Sequence, residues 1–326
     1  MRSFACLLTL SLAACGGSPT DDGTRAADKA ADTETTATPE ATSLLGAPLV
    51  PALPTPERLA ELTANIENAR TAHAASPEES TLIWYGRRVA YAGRYNDAVA
   101  IYSVGLRTYP DSYRLRRHRG HRYISQRRFD DAIADLQAAA LLAEGFDDVI
   151  EPDGIPNRLN TPHSTDKFNI WYHLALAHYL RGDFEAALEA YRSCMEVSRN
   201  PELLVATSDW MYMTLRRLGR DAEAAELLAP ITADLGVVEN VAYHRRLLMY
   251  KGEVEPDDLL DLRTVDDPDV ALNIATQGYG VANWHLYNGD QDRALEIFER
   301  IIEGTSSAAF GYIAAEAEVA RMRAEG

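Results

Sequence analysis

Residues 116–128 read RRHRGHRYISQRR, six arginines and two histidines in thirteen positions. Guanidinium forks suit carboxylates and phosphates, and imidazoles can act as bases or metal ligands. His118 and His121 are three apart and would share a helical face, yet no third metal ligand is identifiable. His173 and His178 are five apart and do not share one. The sequence contains no nucleophile elbow, phosphate loop or zinc-protease signature. Asp209 beside Trp210 reads as a salt-bridge acid, so no catalytic residue, metal or cofactor is assigned. The chemistry on offer is noncovalent recognition of an anionic group.

The surroundings of this cluster narrow the partner. The chain has 326 residues, 32 basic against 49 acidic, for a formal net charge of −17. Most of its surface would repel a phosphate backbone, which argues against a general nucleic-acid binder. An anionic partner therefore needs a local site. With 46% apolar residues the chain can build a sizeable core.

The N-terminus, MRSFACLLTLSLAACGGS, places Arg2 before an apolar run that ends in Leu12-Ala13-Ala14-Cys15. It reads as a targeting segment, and the run is too short to span a bilayer comfortably. The tetrad resembles the lipobox of bacterial lipoproteins. That resemblance implies a signal peptide at 1–14, acylation of Cys15, and a protein lipid-anchored in the cell envelope, expected at the periplasmic side of the outer membrane. Residues 15–54 lack the large apolar side chains of a core and are expected to form a disordered tether. With Cys6 removed and Cys15 lipidated, Cys194 has no disulfide partner and reads as a small buried residue.

The elements that position the arginines are repeated. Turns at GRYNDA (93), RRFDDA (127), GDFEAA (182), GRDAEA (219), GEVEPD (252) and GDQDRA (289) recur every 33–37 residues, apart from one 55-residue gap. Each lies between two apolar-periodic runs, the mark of a helical hairpin closed by a left-handed glycine. In the first unit Leu82, Tyr85, Gly86, Val89, Ala98, Tyr102, Gly105 and Pro110 fall on the eight signature positions of the tetratricopeptide repeat, which this pattern resembles. The second unit carries Gly120, Tyr123, Ala132, Leu136 and Ala139 in register, and the third Trp171, Leu174, Ala175, Ala187, Tyr191 and Cys194.

The resemblance implies an all-α, right-handed superhelical solenoid of about six hairpins within 55–326. The repeats are expected at 79–112, 113–146, 168–201, 205–238, 238–270 and 275–308, the fifth distorted, with capping helices on either side. An insertion occupies 147–167. In the family, three positions of each first helix face the concave groove. Carried over, they include Arg87, Arg117, His121, Tyr172, Tyr179, Arg216, Arg246 and Tyr279, a basic and aromatic wall for an acidic or C-terminal peptide. The lysine and asparagine pattern of the family's carboxylate clamp is not reproduced. The expected function is a membrane-anchored scaffold or adaptor for a protein or peptide partner. A binder of a small anion or glycan in the groove, and an uncharacterised enzyme, remain as alternatives.

Overall fold

The structure, a computed structural model, describes residues 38–154, 157, 159–260 and 268–325. The signal peptide, Cys15 and the tether up to residue 37 lie outside the described residues. A short hairpin of β1 (Ala41–Thr42) and β2 (Pro48–Leu49) comes first. The chain is packed against the body from this hairpin onward, which corrects the expected start at residue 55. Glu40 accepts from the Asn96 amide at 2.7 Å, and the Leu44 amide donates to Glu316.

Helices follow in pairs. After α1 (Pro56–Ala75) come α2 (Glu79–Tyr91) with α3 (Tyr95–Thr108), α4 (Tyr113–Ser125) with α5 (Phe129–Ala143), and α6 (Asp166–Arg181) with α7 (Phe184–Val197). The next pairs are α8 (Pro201–Arg217) with α9 (Asp221–Leu227), then α10 (Val241–Tyr250) followed by a single 3-10 turn at Pro256–Asp258. Finally α11 (Pro268–Tyr287) pairs with α12 (Gln291–Ile302), and α13 (Phe310–Glu325) closes the chain.

Local sequence explains the boundaries. Ser112 accepts from the Leu115 amide and caps α4, Thr165 caps α6 from its own side chain, and Asn200 caps α8 ahead of Pro201. Helix α9 stops after seven residues, shortly before Pro230, which cannot continue it. In the fifth hairpin the position that elsewhere holds alanine holds Asp257, and a 3-10 turn stands there. Close packing uses the small residues: a side chain at Gly86 would strike the ring of Tyr102, and Ala98, Ala132, Ala187 and Cys194 are fully buried.

The two flanking helices differ. Helix α1 buries only Leu62 and caps the array as expected. Helix α13 is no cap. Every residue from Ile313 to Val319 is at most 2% exposed, so two turns are enclosed on all sides. It packs against α11 and α12, and also against α6. At its start, Gly311 lies so close to the carbonyl of Ala275 that a β-carbon would clash with α11 backbone. Among the described residues no helix is long and apolar enough to cross a membrane.

Candidate functional site

The arginine cluster on α4 is spent inside the molecule. Asp135 on α5 takes Arg119 through two bonds of 2.6 and 2.8 Å and lies 3.5 Å from Arg116. Glu151, from the insertion, takes Arg117 at 2.9 Å and Arg87 at 3.5 Å. Glu316, on α13, takes Arg127 at 2.6 Å. Arg128 pairs with Asp131 at the surface, and Arg122 lies 5.5 Å from the ring of Tyr95. Three acids from three elements thus converge on one helix and its turn. A buried guanidinium is tolerated only when paired in this way.

Arg127 shows what that pairing is worth. Five turns of the array place glycine at positive φ, Gly93, Gly182, Gly219, Gly252 and Gly289, and the equivalent residue here is Arg127 at φ 63°. A side chain in that region costs roughly 1 kcal/mol or more. The return is the reach of its guanidinium, which also donates to Ser125 O at 2.7 Å and Ser307 O at 2.9 Å. It ties the second hairpin to the C-terminal helix.

The insertion is held just as firmly. Arg87 donates to Pro152 O at 2.9 Å, Arg88 to Gly154 O at 3.3 Å, and Asn169 to Glu151 at 2.9 Å, while Ile150 bridges Thr165. The segment and the turn before it nevertheless expose large apolar side chains: Phe146 (60%), Ile150 (60%), Leu159 (53%) and Val149.

The expected groove residues are therefore not an open wall. Arg246 and Asp209 are both fully buried and paired with each other, so the expectation that Arg246 faces solvent is corrected. Burial lifts the Asp209 carboxyl to about 6, with Arg246 opposing the rise. Arg117 is buried under the insertion. Tyr179 and Tyr279 are fully buried, their hydroxyls 2.7 Å apart, and Tyr172 is buried within 5.4 Å of Phe168. Half-buried His121 lies 4.3 Å from His173 and 5.4 Å from Phe310, the first residue of α13. Burial, then neighbouring arginines, hold His118 and His121 well below the ordinary imidazole range, and His173 at about 3. Only Arg87, His121 and Arg216 keep partial exposure. Three arrangements account for this: α13 lies along first helices α6 and α11, the insertion lies over α2 and α4, and Arg246 with Asp209 is enclosed between α8, α10 and α11.

Where α13 ends, the wall opens. A cavity of about 530 Å³ is lined by Arg216 and Arg217 of α8, Leu286 and Tyr287 of α11, and Glu318, Arg321 and Met322 of α13. Sequence reasoning singled out Arg216 and missed Arg217, Glu318 and Arg321. A signal existed: Glu316 and Glu318 interrupt the small-residue run AAEAEVA, and carboxylates embedded in alanines point to buried acids in need of partners. Among the described residues no group of three or more His, Cys, Asp or Glu could hold a metal ion.

A family model described as tetratricopeptide repeat matches residues 168–201, the unit of α6 and α7. No curated protein matches the chain in sequence. Solved structures similar to it include YrrB, a tetratricopeptide-repeat protein with an unusual peptide-binding site, at 14% identity over 73% of this chain and 92% of that one, TM-score 0.40. A tetratricopeptide repeat protein from Parabacteroides merdae is similar at 12% identity over 80% of this chain and 94% of its own, TM-score 0.45. The corresponding domain of P58(IPK) gives 14% identity over 82% and 76%, TM-score 0.30. The family match identifies residues 168–201 as a tetratricopeptide repeat, and the stacked hairpins with small residues at their contacts make the chain an all-α solenoid.

Proposed function

We propose that the chain is an interaction scaffold of a bacterial cell envelope, anchored through an acylated Cys15, and that it docks a protein partner on the insertion. The observation that carries this reading is the anchored insertion with its exposed Val149, Ile150 and Leu159, and exposed Phe146 just before it. Exposed apolar side chains gathered on one segment mark a protein contact surface. Holding them on a base of buried ion pairs lowers the entropy lost on binding. Arg114, whose side chain is 41% exposed, and half-buried Arg88 flank the segment. The partner that fits is an apolar segment bordered by acidic residues. The concave face is not the docking surface in this reading, because α13 lies along α6 and α11 and covers their inward side.

A photo-reactive side chain at Phe146 of the full chain, irradiated in the cells that make the protein, should give a discrete adduct. That adduct should be lost on Ile150→Asp and weakened on Arg114→Glu, while a probe at Glu299, whose side chain is 47% exposed on α12, gives none. Adducts that form equally from Glu299, or persist after Ile150→Asp, would sink the docking surface. Anchoring is tested separately: Cys15→Ser should abolish incorporation of labelled fatty acid and release the chain from membranes, since stable attachment needs the lipid. Persistent labelling would remove the anchor from the reading.

A further inference from the structure

We infer that the cavity between α8, α11 and the end of α13 is a binding site for a small organic polyanion, a molecule carrying at least two carboxylate or phosphate groups on a short carbon frame. The site is separate from the insertion surface and does not depend on it. Three guanidiniums line it, against one lining carboxylate. That carboxylate, Glu318, is 1% exposed and already shared between Arg217 at 2.8 Å and Arg321 at 2.7 Å.

The arginines are fixed before any ligand arrives. Arg216 lies 4.3 Å from the centre of the Tyr287 ring and donates to Tyr212 and Asn288 at 3.0 Å each. Arg217 lies 4.8 Å from the Phe184 ring, and Arg321 donates to Leu180 O at 3.2 Å. Among the described residues Arg217 has no acceptor besides Glu318, so its remaining N–H groups are unclaimed. Asp221, which pairs with Arg216, is 71% exposed and lies at the rim. Donors held in place in this way bind anions without first being ordered.

Size and lining set the ligand class. A volume near 530 Å³ falls within the roughly 300–1,000 Å³ of small-ligand clefts, far more than a single inorganic anion needs. Leu286 and Met322 offer apolar contact for a carbon frame, and the guanidiniums offer contact for its acidic groups. Around them the chain carries a net charge of −17, so the selection must be made by this local excess of positive charge.

Calorimetry and thermal denaturation of the full chain with citrate and with pyrophosphate, against chloride as control, test the assignment. Binding tighter than about 1 mM is expected for at least one probe, with a rise in Tm and weakening by added salt. Arg216→Gln and Arg217→Gln should each weaken it about 10-fold, one charge-assisted contact apiece. Arg216→Gln leaves Glu318 fully paired, so it remains informative if Arg217→Gln unfolds the chain. Arg128→Gln, at the distant turn, should bind as wild type. No response to either probe at about 10 mM, an equal loss in Arg128→Gln, or binding of a tetraglutamate peptide alone would overturn the site. Crosslinking from Phe146 reads none of these outcomes, so the two proposals fail independently.

Discussion

The chain has two arginine-rich regions, and they differ in what answers them. On α4 and its turn, five of the six clustered arginines meet Asp135, Glu151, Glu316 and Asp131, which come from α5, the insertion and α13, and Arg122 lies against Tyr95. At the cavity, Arg216, Arg217 and Arg321 meet two carboxylates, buried Glu318 and exposed Asp221 at the rim, and otherwise line open space. Linear density of positive charge therefore locates the joint of this molecule. A modest excess on an open face locates a place for a ligand. The physical criterion is the balance of charge within a few ångströms and not exposure, since the side chains of Arg216 and Arg217 are no more exposed than that of Arg119.

The sharpest way to break the comparison is at Arg127. Replacing it with Met leaves Glu316 buried without its cation, and unfolding in urea should show a loss of about 3–5 kcal/mol. Adding Glu316→Gln should recover a large part of that loss, because the uncompensated charge is then gone. Additive losses would mean that the pair does not join the two ends. Glu151→Gln comes next. It leaves Arg87 and Arg117 without their shared anion, should cost about 1.5–3 kcal/mol, and should open the 147–165 segment to limited proteolysis. Unchanged protease resistance would show that the insertion is held by something other than its ion cluster.

The joint should also respond to acid. His173 is held at about 3, by burial first and by Arg117 second, and in the unfolded chain it would titrate near 6.5. Its folded value is depressed, so the unfolded state binds more protons between these limits. Stability is then fully present above about 6.5 and is lost as pH falls toward 3, by about 2 kcal/mol at pH 5 from this group alone. His118 and His121 are shifted the same way and add to the loss. Asp209 acts oppositely: its raised carboxyl favours folding on protonation between its unfolded value near 4 and about 6, and so offsets part of it. Melting temperatures across pH 4.5–8 should fall on the acid side, and His173→Phe should flatten the slope. An unchanged slope in that variant would take His173 out of the account.

The smallest effects should come from the open arginines. Arg216→Gln breaks a contact with exposed Asp221 and should cost at most about 1 kcal/mol by the same urea measurement. The surface pair of Arg128 and Asp131 should give less than about 0.5 kcal/mol when Arg128 is removed. If Arg216→Gln proves as costly as Arg127→Met, the cavity is structural in the same sense as the joint, and the distinction between the two regions collapses.

Hairpin existence, turn positions and the need for small residues at helix contacts could all be read along the chain. A 3.6-residue period, a glycine between two such periods, and a Gly or Ala where helices meet are local properties. So is the anomaly at Arg127, visible as a turn that lacks its glycine. Also legible was which side of α4, α8 and α10 turns inward, because position on a helix fixes direction. What covers that inward side was decided elsewhere. Arg127 and Glu316 are 189 residues apart, and Arg87 reaches a carbonyl 65 residues away. No spacing rule links such pairs. They are selected only when the array curves enough to bring α13 and the insertion over its first helices, where each buried guanidinium takes whatever carboxylate arrives. The sequence therefore determined the repeat and the direction of its side chains. The tertiary structure alone decided which arginines are consumed and which are left to face a ligand, because neutralising a charge requires contact, and contact across such distances belongs to the folded chain.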